Sequence, residues 1–137
     1  MQNEDMKSVL RLDRLSFEEI QYTRNVDVEI TQVNYEMNFT KQIVSSTDET
    51  NYRVALIANI WSTGKDNTKL KITLVGYFHC ESEDKELKKK LVENNAIAIL
   101  FPYLRSQISL VTTQPDLPSI ILPPMNSVNM FEEKKEE

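Results

Sequence analysis

Apolar and polar residues alternate along the first part of the chain, and this pattern predicts β-strands. Between Leu10 and Tyr22 the alternation changes phase around residues 14–16, which indicates a bulge. It continues through residues 26–30 and resumes one residue out of step at residues 33–39. We interpret this second slip as a bulge or bend within one long strand.

The middle of the chain predicts two more strands joined by a hairpin. Residues 45–51 (SSTDETN) are polar and predict a turn, whereas residues 52–61 (YRVALIANIW) are apolar on both faces, as in a central strand. Residues 62–67 (STGKDN) contain the Gly, Asp and Asn that hairpin turns favour. In residues 69–74 leucine and isoleucine alternate with polar residues, so one face of this strand is exposed to solvent. We therefore predict a small, mostly antiparallel sheet.

The pattern changes to helical spacing after residue 80. Residues 81–95 are highly charged and predict a short exposed helix or a crossover segment. Pro102 would cost about 3 kcal/mol in a helix interior but is tolerated in the first turn. We therefore expect the main helix to run from about Leu100 to Thr113. Its apolar stripe comprises Phe101, Leu104, Ile108 and Val111, widened by Tyr103 and Leu110.

Prolines control the end of the chain. Pro115, Pro118, Pro123 and Pro124 exclude a continued helix, and residues 126–137 predict a short, partly frayed one. The length of 137 residues predicts a single domain over residues 1–137, with residues 1–7 and 132–137 frayed.

Charge and cysteine content narrow the class of protein. A formal net charge of -5 argues against a nucleic-acid-binding protein, which needs a basic face. The single cysteine, Cys80, cannot form an intrachain disulfide and fits a reducing compartment. No signal-peptide core and no apolar run of about 18 residues is present. We expect a cytoplasmic protein.

No residue pattern indicates catalysis or metal binding. His79 and Cys80 are the only His and Cys, and neighbours on a strand point to opposite faces, which suits a structural role. No nucleophile–histidine arrangement with a third group follows from this composition. The lysine-rich residues 85–90 fit a solvated helix face better than a phosphate site. We expect no enzymatic activity, no metal and no cofactor.

Several segments resemble the SecB family of bacterial export chaperones. Residues 99–103 (ILFPY), the apolar segment 117–122 and Pro124-Met125-Asn126 follow the order of the family's C-terminal half. Residues 10–22 (LRLDRLSFEEIQY) resemble its first strand and residues 52–56 its third strand. Gly76-Tyr77-Phe78 resembles the motif that follows its fourth strand. The resemblance covers nearly the whole chain.

The resemblance implies an α+β fold and a chaperone function. The fold is an antiparallel four-stranded sheet packed against a long helix, with a short C-terminal helix. The family assembles as a homotetramer, a dimer of dimers, whose apolar grooves hold unfolded or precursor polypeptides without a cofactor. Tyr77 and Phe78 would lie at the start of a crossover segment. The groove-lining positions implied here are Met37, Phe39, Tyr77, Phe78, Tyr103, Leu104 and Ile108; ordinary core packing is the competing interpretation for each of them.

A second site implied by the resemblance is an exposed sheet face for partner docking. In SecB an acidic face recognises the zinc-binding tail of the translocase motor SecA. Of the matching positions, Glu19 is acidic, but Thr23, Lys69 and Lys71 are not. We therefore expect a chaperone that serves a partner other than SecA, and an antitoxin from a toxin–antitoxin pair is one such client.

Two other functions remain open. One is an adaptor or assembly protein that has a SecB-like fold and binds one folded partner, without general chaperone activity. The other is a small α+β pocket protein of the cystatin-like or nuclear-transport-factor-like kind. That class requires a concave pocket with converging polar groups.

Overall fold

The central element is a twisted β-sheet with the strand order β1-β4-β3-β2-β5. The structure, a computed structural model, describes residues 10–25, 34–115, 119–122 and 127–133. The first four strands are antiparallel, and β5 is a two-residue strand parallel to β2. The strands are β1 Leu10–Thr23, β2 Tyr35–Ser45, β3 Asn51–Ser62, β4 Lys69–Cys80 and β5 Glu132–Glu133.

After β4 the chain is helical from residue 85 to residue 112 without interruption. Helix α1 (Lys85–Lys90) leads into a π-helical turn (Leu91–Asn95) and then into α2 (Ala96–Thr112). Helix α3 (Ser127–Met130) is a single turn near the end of the chain.

The core lies between α2 and one face of the sheet. Register pairs such as Leu56 with Leu74 and Ala58 with Ile72 place buried side chains on this helix face. A Cβ at Gly76 would come within 2.7 Å of a Leu100 side-chain carbon, which shows how closely α2 packs against β4. No helix crosses the opposite face, here called the open face, among the residues described.

The structure has two separate strands where we predicted one long strand with a bulge near residues 14–16 and a second bulge or bend farther along. The chain leaves β1 at Thr23 and enters β2 at Tyr35, and β4 and β3 lie between these two strands. The register of β1 shifts at Asp13 and again at Glu18, so β1 has two irregularities rather than one near residues 14–16. Residues 26–33 lie outside the described residues.

The predicted helix start near Leu100 is also wrong, because α2 begins at Ala96 and contains Pro102 in its interior. Pro102 and Ala98, the residue four positions earlier, are both exposed. Water can therefore hydrogen-bond the Ala98 carbonyl that Pro102 leaves without an N–H donor. The predicted short helix in residues 81–95 is confirmed, although it joins α2 directly.

The predictions for the middle strands, turn and hairpin are confirmed. Strand β3 is buried on both faces. In β4, exposed lysines alternate with a buried leucine and a buried isoleucine over residues 69–72. Gly76, Tyr77 and Phe78 lie within β4, which corrects the expectation that they follow it and begin a crossover segment.

The α+β class is confirmed, but the sheet has five strands rather than four. The fifth strand exists because Phe131 is buried at 5% exposure and its ring packs edge-on to Phe39 and Phe101, with centroids 5.5 and 6.2 Å away. These contacts hold Glu132 and Glu133 beside Thr40 and Lys41 of β2.

Residues 119–122, the described part of the apolar segment 117–122, bind to α2 through hydrogen bonds of Ile120. The Ile120 N–H donates to the Thr112 hydroxyl at 2.8 Å, and the Ser109 hydroxyl donates to the Ile120 carbonyl at 3.0 Å. Ile120 and Leu122 are buried as a result.

Candidate functional site

Several large apolar side chains lie on the surface of the protomer. On α2, Ile99, Tyr103 and Leu110 point away from the sheet, and Leu110 is 68% exposed. Their spacing of four and seven residues places them within about 40° of one another around the helix axis. We call these three residues the outer stripe. Other exposed apolar side chains are Ile20, Met37, Val44, Trp61 and Ile121.

The predicted groove residues do not share one surface. Phe78, Leu104 and Ile108 are at most 1% exposed and belong to the core between α2 and the sheet. Met37 lies on the helix face of β2 but is 41% exposed, and Phe39 is half-buried against Phe131. Of these five side chains, Met37 is the one accessible to a bound polypeptide.

The two tyrosines of the predicted groove lie in different places. Tyr77 is on the open face, where the Arg14 guanidinium carbon lies 4.1 Å from its ring centroid. Tyr103 belongs to the outer stripe of α2, so it does not widen the buried stripe of this helix as predicted. The set of seven residues remains a prediction, with Met37 and Tyr103 as its most exposed members.

The three residues of the predicted docking face all lie on the open face. The Lys71 amine forms an ion pair with Glu19 at 3.2 Å, and Lys69 is opposite the exposed Trp61 on β3. A cavity of about 470 Å³ lies among these lysines and the polar side chains of Gln21 and Asn59. The sequence did not predict that Trp61 lies exposed in this patch, because residues 52–61 are apolar on both faces and indicated a buried strand.

A second ion pair crosses the open face farther along the sheet. The Arg53 guanidinium donates to Glu18 Oε1 at 2.7 Å, and this hydrogen bond raises the pKa of Arg53. The open face is thus polar, with both signs of charge, and not the uniformly acidic surface of the kind implied for SecA binding.

A cleft that the sequence did not predict lies between α1 and the turn joining β2 to β3. Its volume is about 430 Å³ and its lining includes Ile43, Tyr52 and Val92. Lys85, Lys88 and Lys89 also line it, so the lysine run interpreted as a solvated helix face has one buried member, Lys88, at 9% exposure.

The one histidine and the one cysteine occupy structural positions. His79 Nδ1 lies 3.0 Å from the Asn51 side-chain oxygen, and its Nε2 lies 3.3 Å from a Glu81 carboxylate oxygen. Cys80 is fully buried, and this burial raises the pKa of its thiol. Among the residues that the structure describes, no three His, Cys, Asp or Glu side chains converge as metal ligands.

No helix in the described ranges has both the length and the apolar character needed to span a bilayer.

A family model and a protein of similar sequence both match nearly the whole chain. The family model for preprotein translocase subunit SecB matches residues 8–137. An uncharacterized protein of Methanocaldococcus jannaschii is 30% identical over 139 residues, covering 96% of this chain and 90% of that protein.

A solved structure shares the fold. It is the Mycobacterium tuberculosis SecB-like chaperone Rv1957 in complex with a ChAD peptide from the HigA1 antitoxin. The TM-score is 0.72 at 14% identity, and the match covers 88% of this chain and 93% of the mycobacterial one.

Proposed function

Because this chain belongs to the SecB family, we propose that it is a chaperone that holds unfolded polypeptides on exposed apolar side chains. The observation that carries this proposal is Met37 on the helix face of β2, a large apolar side chain that is 41% exposed. A soluble monomer rarely leaves large apolar patches in water, so such side chains serve binding. Methionine and aromatic side chains adapt to different sequences, which suits a holding function.

Assembly into a homotetramer, a dimer of dimers, is part of the proposal. The outer stripe presents Ile99, Tyr103 and Leu110 on the side of α2 that no described element covers. A contact between copies of the chain would remove this surface from water and leave continuous grooves between protomers.

A dedicated client is the form of the proposal that we favour, and the cytoplasm is the proposed compartment. The mycobacterial SecB-like chaperone with the same fold is bound to an antitoxin peptide, which supports an antitoxin as one class of client. Lys69 and Lys71 on the open face argue against docking of SecA by an acidic surface. General protein export therefore ranks second.

The first experiment is a calorimetric titration of an unfolded, aggregation-prone precursor protein into the purified chain at low temperature. We expect saturation at about one client per four chains and a negative heat-capacity change from apolar burial. An absence of heat together with unhindered aggregation of the client would overturn the holding function.

A matched pair of variants on β2 tests the binding surface. Met37→Ser removes an exposed apolar side chain on the helix face, whereas Asn38→Ser changes its exposed neighbour on the open face. We expect Met37→Ser to weaken client binding several-fold and Asn38→Ser to leave the affinity unchanged. Equal affinities for the two variants would exclude Met37 from the client site.

The alternative function is an adaptor that binds one folded partner through the open face. The cavity beside Trp61, Lys69 and Lys71 favours it, because an exposed tryptophan is a common binding anchor. Tight capture of a single folded protein, with indifference to unfolded polypeptide, would select this function.

A further inference from the structure

The cleft between α1 and the β2–β3 turn is a built site. Asp84 caps α1 by accepting hydrogen bonds from the N–H groups of Glu86 and Leu87, both at 3.1 Å. This cap fixes the start of α1, and Lys85, Lys88 and Lys89 of this helix line the cleft. On the opposite wall, Glu49 has a left-handed backbone conformation with φ of 57°.

The carbonyl of Glu49 organises the cleft. It accepts a hydrogen bond from the Lys88 ammonium at 2.8 Å and another from the Tyr52 hydroxyl at 2.9 Å. Both lone pairs of this oxygen are therefore used. The Lys88 side chain is held in place from a residue 39 positions away in the sequence.

Lys88 has no ion-pair partner among the residues that the structure describes. An ammonium group has three N–H donors, and the described residues supply one acceptor, the Glu49 carbonyl. No ion pair between described residues involves Lys85, Lys88 or Lys89. Lys88 as a residue is 9% exposed, so a carboxylate that reaches its ammonium group would be less screened by water than one bound at the surface.

Other charges also face the cleft. Glu49, Glu93 and Glu133 line it along with the three lysines, so the site is not a general anion trap. The buried member of the set is the cation Lys88, whereas these three glutamates are less buried. An anion that enters far enough to reach Lys88 therefore gains more than one bound at the rim.

The cleft also offers apolar contacts, and it lies next to β2. Ile43, Tyr52 and Val92 supply apolar surface beside Lys88. Strand β5 pairs with Thr40 and Lys41 only, so residues 42–45 of β2 have no outer strand partner among the described residues. An extended polypeptide could lie along this edge and place one side chain in the cleft.

We propose that this cleft binds an acidic residue of an extended client segment. The carboxylate pairs with the Lys88 ammonium, and a neighbouring apolar side chain of the client packs on Ile43, Tyr52 and Val92. Lys85 and Lys89 attract the segment from the rim. The proposal rests on the proposed chaperone function and adds a charge preference to it.

The test compares two fluorescent peptides that differ at one residue. Both are short, blocked at each end, and carry two leucines beside either Asp or the isosteric Asn. By fluorescence anisotropy at low salt, we expect the Asp peptide to bind the wild-type protein about tenfold more tightly. Equal affinity for the two peptides would overturn the proposal.

Variants locate the preference. Lys88→Met should bring the affinity ratio of the Asp and Asn peptides close to one, and Lys85→Gln with Lys89→Gln should reduce it several-fold. Lys90→Gln is the matched control, because Lys90 is exposed on the same helix and does not line the cleft. Circular dichroism checks the fold of each variant. A full preference in folded Lys88→Met would also overturn the proposal.

A client-aggregation assay on the same preparations separates the two proposals. Suppressed aggregation without discrimination between the peptides would overturn the charge preference and leave the chaperone function standing. Discrimination without suppression would support the cleft and overturn general holding.

Discussion

Asp66 shows how one buried carboxylate stabilises the β3–β4 hairpin. It is 3% exposed and accepts a short hydrogen bond from the Thr68 hydroxyl, while its carbonyl accepts from the Asn25 N–H at 2.6 Å. Burial alone would raise the pKa of Asp66, but hydrogen bonds from Thr68 and Ser62 outweigh it and lower the pKa. The carboxylate form therefore stabilises the folded state.

This lowered pKa predicts acid sensitivity. Above the unfolded-state pKa of about 3.9 the stabilisation is complete, and it disappears as the pH falls through the lower folded-state pKa. We expect Asp66→Asn to reduce the free energy of unfolding by about 1 kcal/mol at neutral pH and by less in acid. Urea unfolding of both proteins at neutral and strongly acidic pH measures this. A difference that does not change with pH would contradict the assignment.

At the scale of the element, the helical run from Lys85 to Thr112 is the main departure from expectation. Pro102 lies in the interior of α2, where proline is destabilising because it lacks an N–H donor and its ring clashes with the preceding turn. The chain nevertheless tolerates it, since α2 buries Ile97, Leu100 and Phe101 and leaves Pro102 in solvent. Packing of the apolar side outweighs the local cost.

Replacing Pro102 tests this balance. Pro102→Ala restores an N–H donor in the interior of α2, so we expect the free energy of unfolding to rise by about 2 kcal/mol. Pro115→Ala is the control, because Pro115 lies after the end of α2 and should give no comparable gain. Chemical denaturation compares the three proteins. An unchanged stability of Pro102→Ala would indicate that the helix begins at Pro102.

At the scale of the whole molecule, the outer stripe predicts self-association. Tyr103→Asp with Leu110→Asp places two charges on this surface without touching the core, because both residues are exposed. We expect the double variant to sediment as a smaller species than the wild-type protein, for which a tetramer is proposed, with unchanged circular dichroism. Asn94→Asp adds a charge at another exposed site and should leave the assembly intact. Equal sedimentation of the double variant and wild type would show that another surface mediates assembly.

The candidate surfaces were predicted unevenly. The shared face of Glu19, Lys69 and Lys71 follows from strand alternation, which is a local property. Phe78 is buried and Tyr103 is exposed, although both are aromatic residues in apolar segments, so residue type does not predict this difference. Which of them faces water depends on where α2 crosses the sheet.

The amino-acid sequence by itself determined the central strands, their hairpin, the exposed lysine side of β4 and the family, because each depends on patterns among neighbouring residues. Only the tertiary structure decided the placement of β2 across the sheet from β1, the docking of Phe131 and the burial of Lys88. The physical reason is distance along the chain. The contact between Lys88 and Glu49 joins residues 39 positions apart, and no local pattern encodes such a pair.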